Sequence, residues 1–544
     1  MARAAAPITD ASILADGARP YARDLAFRRD RLLRALAAGE PGATAQRVKA
    51  TVAIIDRARA QAPGCVRFAV RVRKGGLSLT PLDWSPKPTR VTRTVRADVV
   101  VVGGEIESIV TAMAAADAGA TVALLHAGPL GGLTADTGGN LRYFDCIPGT
   151  PHPPQQVALF REGLGMRPGN WVCIPADTDG KLRAFMRRRY AGVTLLGTRT
   201  YNSLQVGKGA GGIGSITTGE GVRLIGAAVL DAEPEGIVAE KAGLTVGIDV
   251  PNLAYGLVFD VSGIRPGDWA TLRDRRRYSP ERILAAVGVT GAQSAASADG
   301  REALRRMRRA VRQDHVLANR TYQLGYQALA QGFDLWMHCL AVGRPTADLA
   351  WLNARRCSSG FNVTAPIDHA TFNSLSYRLE RTVLQHDHDL ARDAEFAPIR
   401  NTEGPQLEAY LRWVTGSPAL RVRLPAQFYV RRASAAFATL EPYRDADFID
   451  RPATDLWMTY SMDYRNLSPR DAWDAALVRK AWSHGATRYT WDCRASTLRS
   501  AVPNLYLLNR SSVPMAWYGG LRIVQGMVNT GAAWARERPW AASH

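Results

Sequence analysis

Residues 98–127 read DVVVVGGEIESIVTAMAAADAGATVALLHA, and their pattern determines the predicted fold. The stretch opens with an apolar run, passes through Gly103 and Gly104 into an alanine-rich segment, and ends with a second apolar run. A strand, a glycine turn, a helix and a second strand within about thirty residues form a βαβ unit. Backbone N–H groups at such a turn, together with the helix dipole, favour the diphosphate of a dinucleotide.

The turn departs from the usual dinucleotide-binding pattern. Gly103 stands at the first glycine of GxGxxG, but Glu105 and Ser108 stand at the second and third. His126 ends the second strand, where an acidic residue normally binds the ribose hydroxyls. The carboxyl groups of Glu105 and Glu107 therefore lie near the expected place of a negatively charged diphosphate, and they should repel it.

Further motifs follow in order along the chain. They are PLGGLTADTGG (129–139) with Asp145, VRLIGAAVLDAEPEGIVAEKAG (222–243), Tyr429–Arg431, Ser461–Asp463, and VPNLYLLNRSSVPMAWYGGLRIVQGMVNTGAAWA (502–535). Together with residues 98–127 they resemble the bacterial FAD-dependent oxidoreductase (FAD_oxidored) family of the glutathione-reductase-like superfamily. The resemblance runs from about Asp98 to Ala535.

This resemblance implies a fold class and a domain order. The expected fold is α/β, a doubly wound parallel sheet of the FAD/NAD(P)-binding Rossmann-like type, with an inserted α+β cap domain. The implied parts are a basic N-terminal extension (1–97), the first part of the FAD-binding-like domain (98–250), the cap (251–483) and the C-terminal part of the FAD-binding-like domain (484–544).

The resemblance also implies FAD as cofactor and a set of residues around it. The implied cofactor-binding residues are Gly103, Gly104, Ser108, His126, Gly131, Gly132, Gly138, Gly139, Arg510 and Gly526. Arg494 and Arg522 are the candidate catalytic residues, because an arginine there could stabilise a substrate carboxylate or the N1–C2 carbonyl region of the flavin. Structural ion pairs are the alternative for these arginines.

Several departures from the family pattern fall on motifs that should contact the flavin. Glu105 and His126 are two of them, and Glu233-Pro234-Glu235 replaces a Thr-Gly-Asp segment. Two functions therefore stay open. The first is an FAD-dependent oxidoreductase that transfers hydride from a small organic substrate to flavin. The second is a flavin-free pseudoenzyme, a structural or regulatory subunit of a larger complex.

Composition places the chain among ordinary globular proteins. Its 544 residues are 46% apolar and 22% charged, so a disordered chain is excluded and two to four domains are expected. We expect no membrane span, because no apolar run is long enough. The six cysteines show no zinc-binding spacing, and reduced thiols in the cytoplasm are the simplest interpretation.

The net charge of +20 is unevenly distributed. Residues 1–97 hold 19 Lys and Arg against 7 Asp and Glu, a net charge of +12. Arg67, Arg71 and Arg73 alternate in a predicted strand, 65–74, and should share one face. An acidic protein partner or a paralogous subunit is the expected partner. Nucleic acid is not, because few aromatic residues accompany the charge. A solvated basic face is the alternative.

Other segments carry further predictions. Helices are expected over 21–38 and 45–60, and residues 301–341 are expected to be strongly helical, with an arginine cluster at the start. No metal site is predicted, because His386 and His388 have no signalled third ligand. His338 and Cys339 follow apolar residues in a predicted helix, so a core pair is expected rather than a catalytic couple.

Overall fold

The computed structural model describes the following residues: 21–23, 25–39, 44–62, 65, 67–73, 76–81, 89–137, 152–166, 177–233, 236–244, 246–248, 253–312, 316–319, 323–357, 361–364, 370–379, 396–425, 429–430, 435–437, 448–449, 459–463, 488–492, 498–509 and 524–541. Within these residues no helix is both long and apolar enough to cross a membrane.

The N-terminal part forms a small α/β unit with its own core. Its elements are β1 (Tyr21–Arg23), α1 (Leu25–Ala37), α2 (Ala45–Gln61), β2 (Arg67–Arg73) and β3 (Gly76–Pro81). The predicted helix over 21–38 is wrong at its start, because β1 pairs with β2 in an antiparallel ladder. The two helices meet the sheet through apolar side chains, namely Leu25, Leu32, Val48, Ile55, Ala58, Ala62 and Phe68.

The central α/β part contains the βαβ unit that residues 98–127 predict. Its elements are β4 (Arg93–Val102), α3 (Ile106–Asp117), β5 (Val122–Ala127), α4 (Gly132–Thr137), α5 (Pro154–Ala158), α6 (Thr178–Arg189), β6 (Val193–Thr198), β7 (Gln205–Gly209), β8 (Gly212–Thr217), β9 (Val222–Asp231) and α7 (Ile237–Lys241). A π-helical turn, Leu159–Gly163, extends α5, and a 3₁₀ turn, Tyr201–Ser203, follows β6.

The central sheet is mostly parallel. Its strand order is β6-β5-β4-β9, and all three of these pairings are parallel. The hairpin β7–β8 is antiparallel and adds to the first half of β9. The predicted α/β class with a mostly parallel, Rossmann-like sheet is therefore confirmed. The parallel pairing places the carboxyl ends of β4, β5 and β9 at the same edge of the sheet.

A helical layer and three further sheets come next in the described residues. Strands β11 to β18 form an eight-stranded sheet, β10 and β19 form a two-stranded sheet, and β20 to β22 form a three-stranded sheet. The elements are β10 (Val246–Ile248), β11 (Leu253–Ser262), α8 (Pro266–Arg273), α9 (Pro280–Val287), α10 (Gly291–Ser294), α11 (Ala298–Arg312), β12 (Val316–Asn319), β13 (Gln323–Tyr326), α12 (Gln327–Gly343), α13 (Ala347–Arg355), β14 (Arg356–Cys357), β15 (Phe361–Thr364), β16 (Ala370–Leu379), α14 (Gly404–Thr415), β17 (Arg421–Arg423), β18 (Tyr429–Val430), β19 (Ala435–Phe437), β20 (Phe448–Ile449), β21 (Thr459–Asp463) and β22 (Arg488–Asp492). The stretch 301–341, predicted to be strongly helical, contains most of α11 and α12, and the hairpin β12–β13 separates these two helices.

A buried ionic network holds this second layer together. Arg356 donates to Asp334 at 3.1 Å, and its Nε lies 3.4 Å from Glu403, which is fully buried. The Tyr377 hydroxyl donates to the other Glu403 oxygen at 2.7 Å. Burial raises the pKa of Glu403, whereas the nearby Arg356 charge and the Tyr377 hydrogen bond oppose that rise.

The chain then returns to the central sheet. Strand β23 (Leu505–Leu507) pairs in parallel with the end of β9, and helix α15 (Val524–Arg536) packs on α3. The Leu508 N–H and the Asn509 side chain both donate to the Asp231 carbonyl, at 2.9 and 3.1 Å. Gly531 lets α15 approach closely, because a Cβ atom there would overlap the Thr111 hydroxyl of α3.

This close approach predicts the effect of one substitution. Gly531→Ala should destabilise the protein by about 1–3 kcal/mol, because the added methyl group overpacks the α3–α15 contact. Gly267→Ala, also in a helix, is the matched control, because a Cβ atom there meets nothing within 4 Å. The control should be neutral or stabilising by at most about 1 kcal/mol. Urea unfolding of both variants measures this, and equal stability would contradict the packing.

Candidate dinucleotide-type site

Only glycine fits at the first position of the turn, because Ser108 and Ala232 leave no room for a side chain at Gly103. Gly103 has φ 146°, and a Cβ atom there would lie 2.6 Å from the Ser108 hydroxyl and 2.7 Å from the Ala232 carbonyl oxygen. The Ser108 hydroxyl donates to that carbonyl at 3.4 Å, and the Ala232 N–H donates to Val102 at 2.8 Å. Ser108 therefore replaces the third glycine of the pattern with a hydrogen bond between α3 and the end of β9.

Glu105 fills the space in front of helix α3. It occupies the N-cap position and is only 4% exposed, yet its side chain accepts no N–H of the first helical turn. Its carboxyl group lies instead against Gly132, where a Cβ atom would overlap the carboxyl atoms. The Gly131 N–H donates to the Gly104 carbonyl at 2.7 Å. The two glycine turns are thus joined, with the Glu105 carboxyl group between them.

More buried carboxyl groups lie close to this one. Glu107 and Asp231 are fully buried, and Glu233 is 2% exposed. Asp231 accepts the Ala239 N–H at 2.8 Å and the Glu233 N–H at 3.4 Å. Burial, and then the charge of Glu233, raise the pKa of Asp231 well above its ordinary value, while these N–H groups act the other way. Asp231 therefore binds the start of α7 with its own side chain.

The buried phenol of Tyr201 lies near three of the acidic side chains. Burial raises the pKa of its phenol, and the charges of Glu233, Glu105 and Asp231 raise it further. A hydrogen bond with the backbone of Ala127 opposes them. The phenol therefore lies within electrostatic reach of three acidic side chains, at the same edge of the sheet.

His126 is held by partners on both ring nitrogens. Its Nδ1 lies 2.9 Å from the Gly128 carbonyl oxygen, and its Nε2 lies 3.4 Å from the Arg183 guanidinium. The carbonyl can only accept and the guanidinium can only donate, so these contacts assign the proton to Nδ1. Burial is the main cause that lowers the pKa of His126, and the Arg183 charge lowers it further.

Arg183 is in turn fixed by Asp179, one turn earlier on α6. Its Nε lies 2.9 and 3.0 Å from the two Asp179 carboxylate oxygens. One of these oxygens also accepts the Leu130 N–H at 2.6 Å. This network joins α6, the end of β5 and the turn before α4. The residue at the ribose position thus binds neighbouring protein groups.

The residues at this edge do not fit the diphosphate of FAD. A dinucleotide of this fold class places its diphosphate at the N-terminus of the first helix. Here two buried acidic residues, Glu105 and Glu107, occupy the N-cap and the first turn of that helix. Asp231 and Glu233 are buried at the end of β9. Two unit charges 4 Å apart repel by about 4 kcal/mol near a protein surface. The diphosphate would require Glu105 to leave its contact with Gly132.

The sequence-predicted residues fall into two groups. Gly103, Gly104, Ser108, His126, Gly131 and Gly132 lie together at the ends of β4 and β5, and Gly526 lies in α15. Gly138, Gly139, Arg494, Arg510 and Arg522 lie outside the described residues, as do His386 and His388. Arg67, Arg71 and Arg73 lie in β2, and their shared face stays a prediction.

Sequence reasoning missed Asp231, Tyr201, Asp179 and Arg183 as members of this site. Asp231 carried a signal, since an acidic residue at the end of the largely apolar strand VRLIGAAVLD (222–231) is costly unless it binds backbone N–H groups. Asp179 and Arg183 are four residues apart on one helix, a spacing that predicts their ion pair. That spacing does not predict the contacts with His126 and Leu130.

His338 and Cys339 form a structural pair in α12. The His338 Nε2 lies 3.2 Å from the Ser294 carbonyl oxygen, and the Cys339 thiol donates to the Ser294 hydroxyl at 3.8 Å. Cys339 is fully buried, and burial raises the pKa of its thiol to about 11. The geometry agrees with the expected core pair, because the thiol contacts Ser294 and is kept protonated.

Comparison with known proteins gave matches among solved structures alone. No protein-family model matches this chain, and no curated protein matches it. Quinol fumarate reductase FrdA of E. coli aligns at 11% identity over 83% of this chain and 72% of that chain, with a TM-score of 0.34. The L-amino acid deaminase of Proteus vulgaris aligns at 12% identity over 32% of this chain, with a TM-score of 0.22.

A third match is the thioredoxin reductase of T. acidophilum, at 18% identity over 26% of this chain and 36% of that chain, with a TM-score of 0.17. The aligned part of this chain spans about half of the deaminase, 54% of its length. At TM-scores below 0.5 these likenesses support no functional conclusion. The fold class rests on the strand order and parallel pairing of the chain itself.

The lowered pKa of His126 predicts a pH dependence of stability. Because the folded pKa lies below the unfolded one, the stabilisation is complete above about pH 6.5 and is lost as the pH falls through the folded value. In His126→Asn this loss should disappear. Urea unfolding between about pH 7.5 and 5.5 measures the slope for both proteins. The same slope in wild type and variant would contradict a buried, neutral His126.

The environment of Cys339 predicts a slow reaction with alkylating reagents. With a thiol pKa of about 11, roughly one thiol in a thousand is ionised at about pH 8. Iodoacetamide should therefore modify the half-buried Cys65 well before Cys339, which should react only on unfolding. Peptide mass spectrometry over time gives both rates. Equal rates in the folded protein would mean that the Cys339 thiol is accessible.

Proposed function

We propose that this protein is a flavin-free member of the dinucleotide-binding fold class and works as a structural or regulatory subunit. The observation that carries the proposal is the position of Glu105, whose buried carboxyl group lies against Gly132 in front of α3. A resident carboxyl group there opposes a diphosphate both by its volume and by its charge.

The neighbouring residues support the same proposal. Asp231 uses its carboxyl group on the backbone N–H groups that begin α7, and His126 is engaged by Gly128 and Arg183. A flavin would have to replace contacts that the chain already makes with itself. These contacts stabilise the folded protein, so each replacement would reduce the affinity for the cofactor.

An FAD-dependent oxidoreductase is the second candidate, and the glycine turns favour it. Gly103 and Gly131 keep the positive φ angles, 146° and 98°, that let backbone approach a ligand closely. In that case FAD would supply the hydride-accepting ring, and this chain would hold and orient it. Glu105 would then have to turn out of the space it fills in the structure.

Substitution of Glu105 tests the proposal. The purified wild-type protein should show no flavin absorbance in the near-ultraviolet and blue. Glu105→Gly should acquire FAD on incubation, because both the volume and the charge of the side chain are removed. Glu105→Gln is the matched control that keeps the volume and removes the charge, and it should bind FAD less than the glycine variant.

Two results of this experiment would contradict the proposal. Stoichiometric flavin in the wild type would contradict the proposal and favour the oxidoreductase. A glycine variant that melts like the wild type and still binds no FAD would show that Glu105 is not what prevents binding. Titration of FAD followed by its fluorescence gives the dissociation constants, and a gain of about two orders of magnitude is expected for Glu105→Gly.

A further inference from the structure

Helix α11 presents a concentrated positive charge on its exposed side. Six of its fifteen residues are arginine. Leu304 and Met307 are buried on the opposite side, in the core formed with α12. The exposed arginines follow the helical repeat, and they are Arg301, Arg305, Arg308, Arg309 and Arg312.

A second basic segment adjoins the end of this helix. The Arg275 guanidinium donates to the Val311 carbonyl at 2.6 Å, which fixes the 3₁₀ turn Arg275–Tyr278 beside the last turn of α11. The next two side chains of that turn, Arg276 and Arg277, are 93% and 49% exposed. We name the exposed arginines of α11, together with Arg276 and Arg277, the arginine face.

Backbone carbonyl groups orient part of this face without neutralising it. Arg301 donates to the Ala295 and Ala296 carbonyls at 2.9 and 3.2 Å. The Arg312 Nε donates to the Arg308 carbonyl at 3.2 Å. A neutral carbonyl leaves the charge of the guanidinium uncompensated, and it reduces the entropy that the side chain would lose on binding a partner.

Two carboxylates lie within the face, each shared between two arginines. Glu302 binds Arg305 and Arg306, and these hydrogen bonds lower its pKa, so it stays ionised. Asp274 lies within 3.3 Å of Arg276 and 4.0 Å of Arg277. The carboxylates compensate a minority of the positive charges of the face.

Helix stability alone does not account for this arrangement. Arginines at i and i+4, such as Arg308 with Arg312, repel each other on a helix surface. The helix dipole favours positive charge in the last turn, which accounts for Arg309 and Arg312, and Arg305 pairs with Glu302. Neither contribution accounts for Arg308. This repulsion between arginines therefore destabilises α11. Such a concentration of positive charge is expected on a surface that binds negatively charged groups.

We propose that the arginine face docks an acidic segment of a partner protein. Arg305 already binds both oxygens of Glu302, at 2.7 Å each, which is the contact that a partner's carboxylates would repeat. Among the described residues of this face no exposed aromatic ring is available for base stacking. The inference concerns a surface other than the dinucleotide-type site and stands whether or not flavin binds.

Fluorescence anisotropy with a labelled poly-glutamate peptide tests the inference on the full chain. Arg276→Gln, Arg308→Gln and Arg309→Gln are combined in one variant of the arginine face. The matched control combines Arg187→Gln, Arg188→Gln and Arg189→Gln at the end of α6, which removes the same charge elsewhere. At about 0.15 M salt the face variant should bind at least about tenfold more weakly than wild type, and the control within about twofold.

Three results would overturn the inference. The first is a wild-type protein that does not bind the peptide. The second is an equal loss of affinity in both variants, which would indicate attraction by net charge alone. The third is duplex DNA that binds more tightly than the peptide and is weakened by the face variant, which would identify a nucleic-acid surface. Circular dichroism melting confirms that both variants fold.

Discussion

The contact between the Glu105 carboxyl group and Gly132 is the constraint around which the candidate site is arranged. It places an acidic side chain between two glycine turns that also hydrogen-bond each other through Gly131 and Gly104. On our proposal, a diphosphate at the N-terminus of α3 would have to displace this side chain. The glycine turns lead into the N-terminus of α3, where a diphosphate would be expected, but the chain places a carboxyl group of its own there.

Other polar side chains at this edge of the sheet also form hydrogen bonds with neighbouring groups of the protein. Asp231 would be costly as a buried acid, and it is stabilised by backbone N–H groups at the start of α7. His126 is kept neutral by burial and is positioned by Gly128 and by the Asp179–Arg183 pair. In a binding site such polar groups would face a cofactor. Here they bind neighbouring protein groups, and these contacts stabilise the folded protein.

Much of the central sheet could be predicted because its signal is local. The apolar runs on either side of Gly103 determine β4, α3 and β5 without reference to distant residues. The contact of Arg183 with His126 could not be predicted, since it joins residues 57 positions apart in sequence. Similarly, β1 looked like part of a helix, because its strand character comes from pairing with β2. In β1, long-range pairing overrode local propensity.

A crystal structure of the protein grown with excess FAD would show the position of the Glu105 side chain itself. We predict electron density for the Glu105 carboxyl group against Gly132, with no diphosphate at the N-terminus of α3. Density for a diphosphate beside Gly103 and Gly104, with the Glu105 side chain rotated away from Gly132, would contradict this prediction.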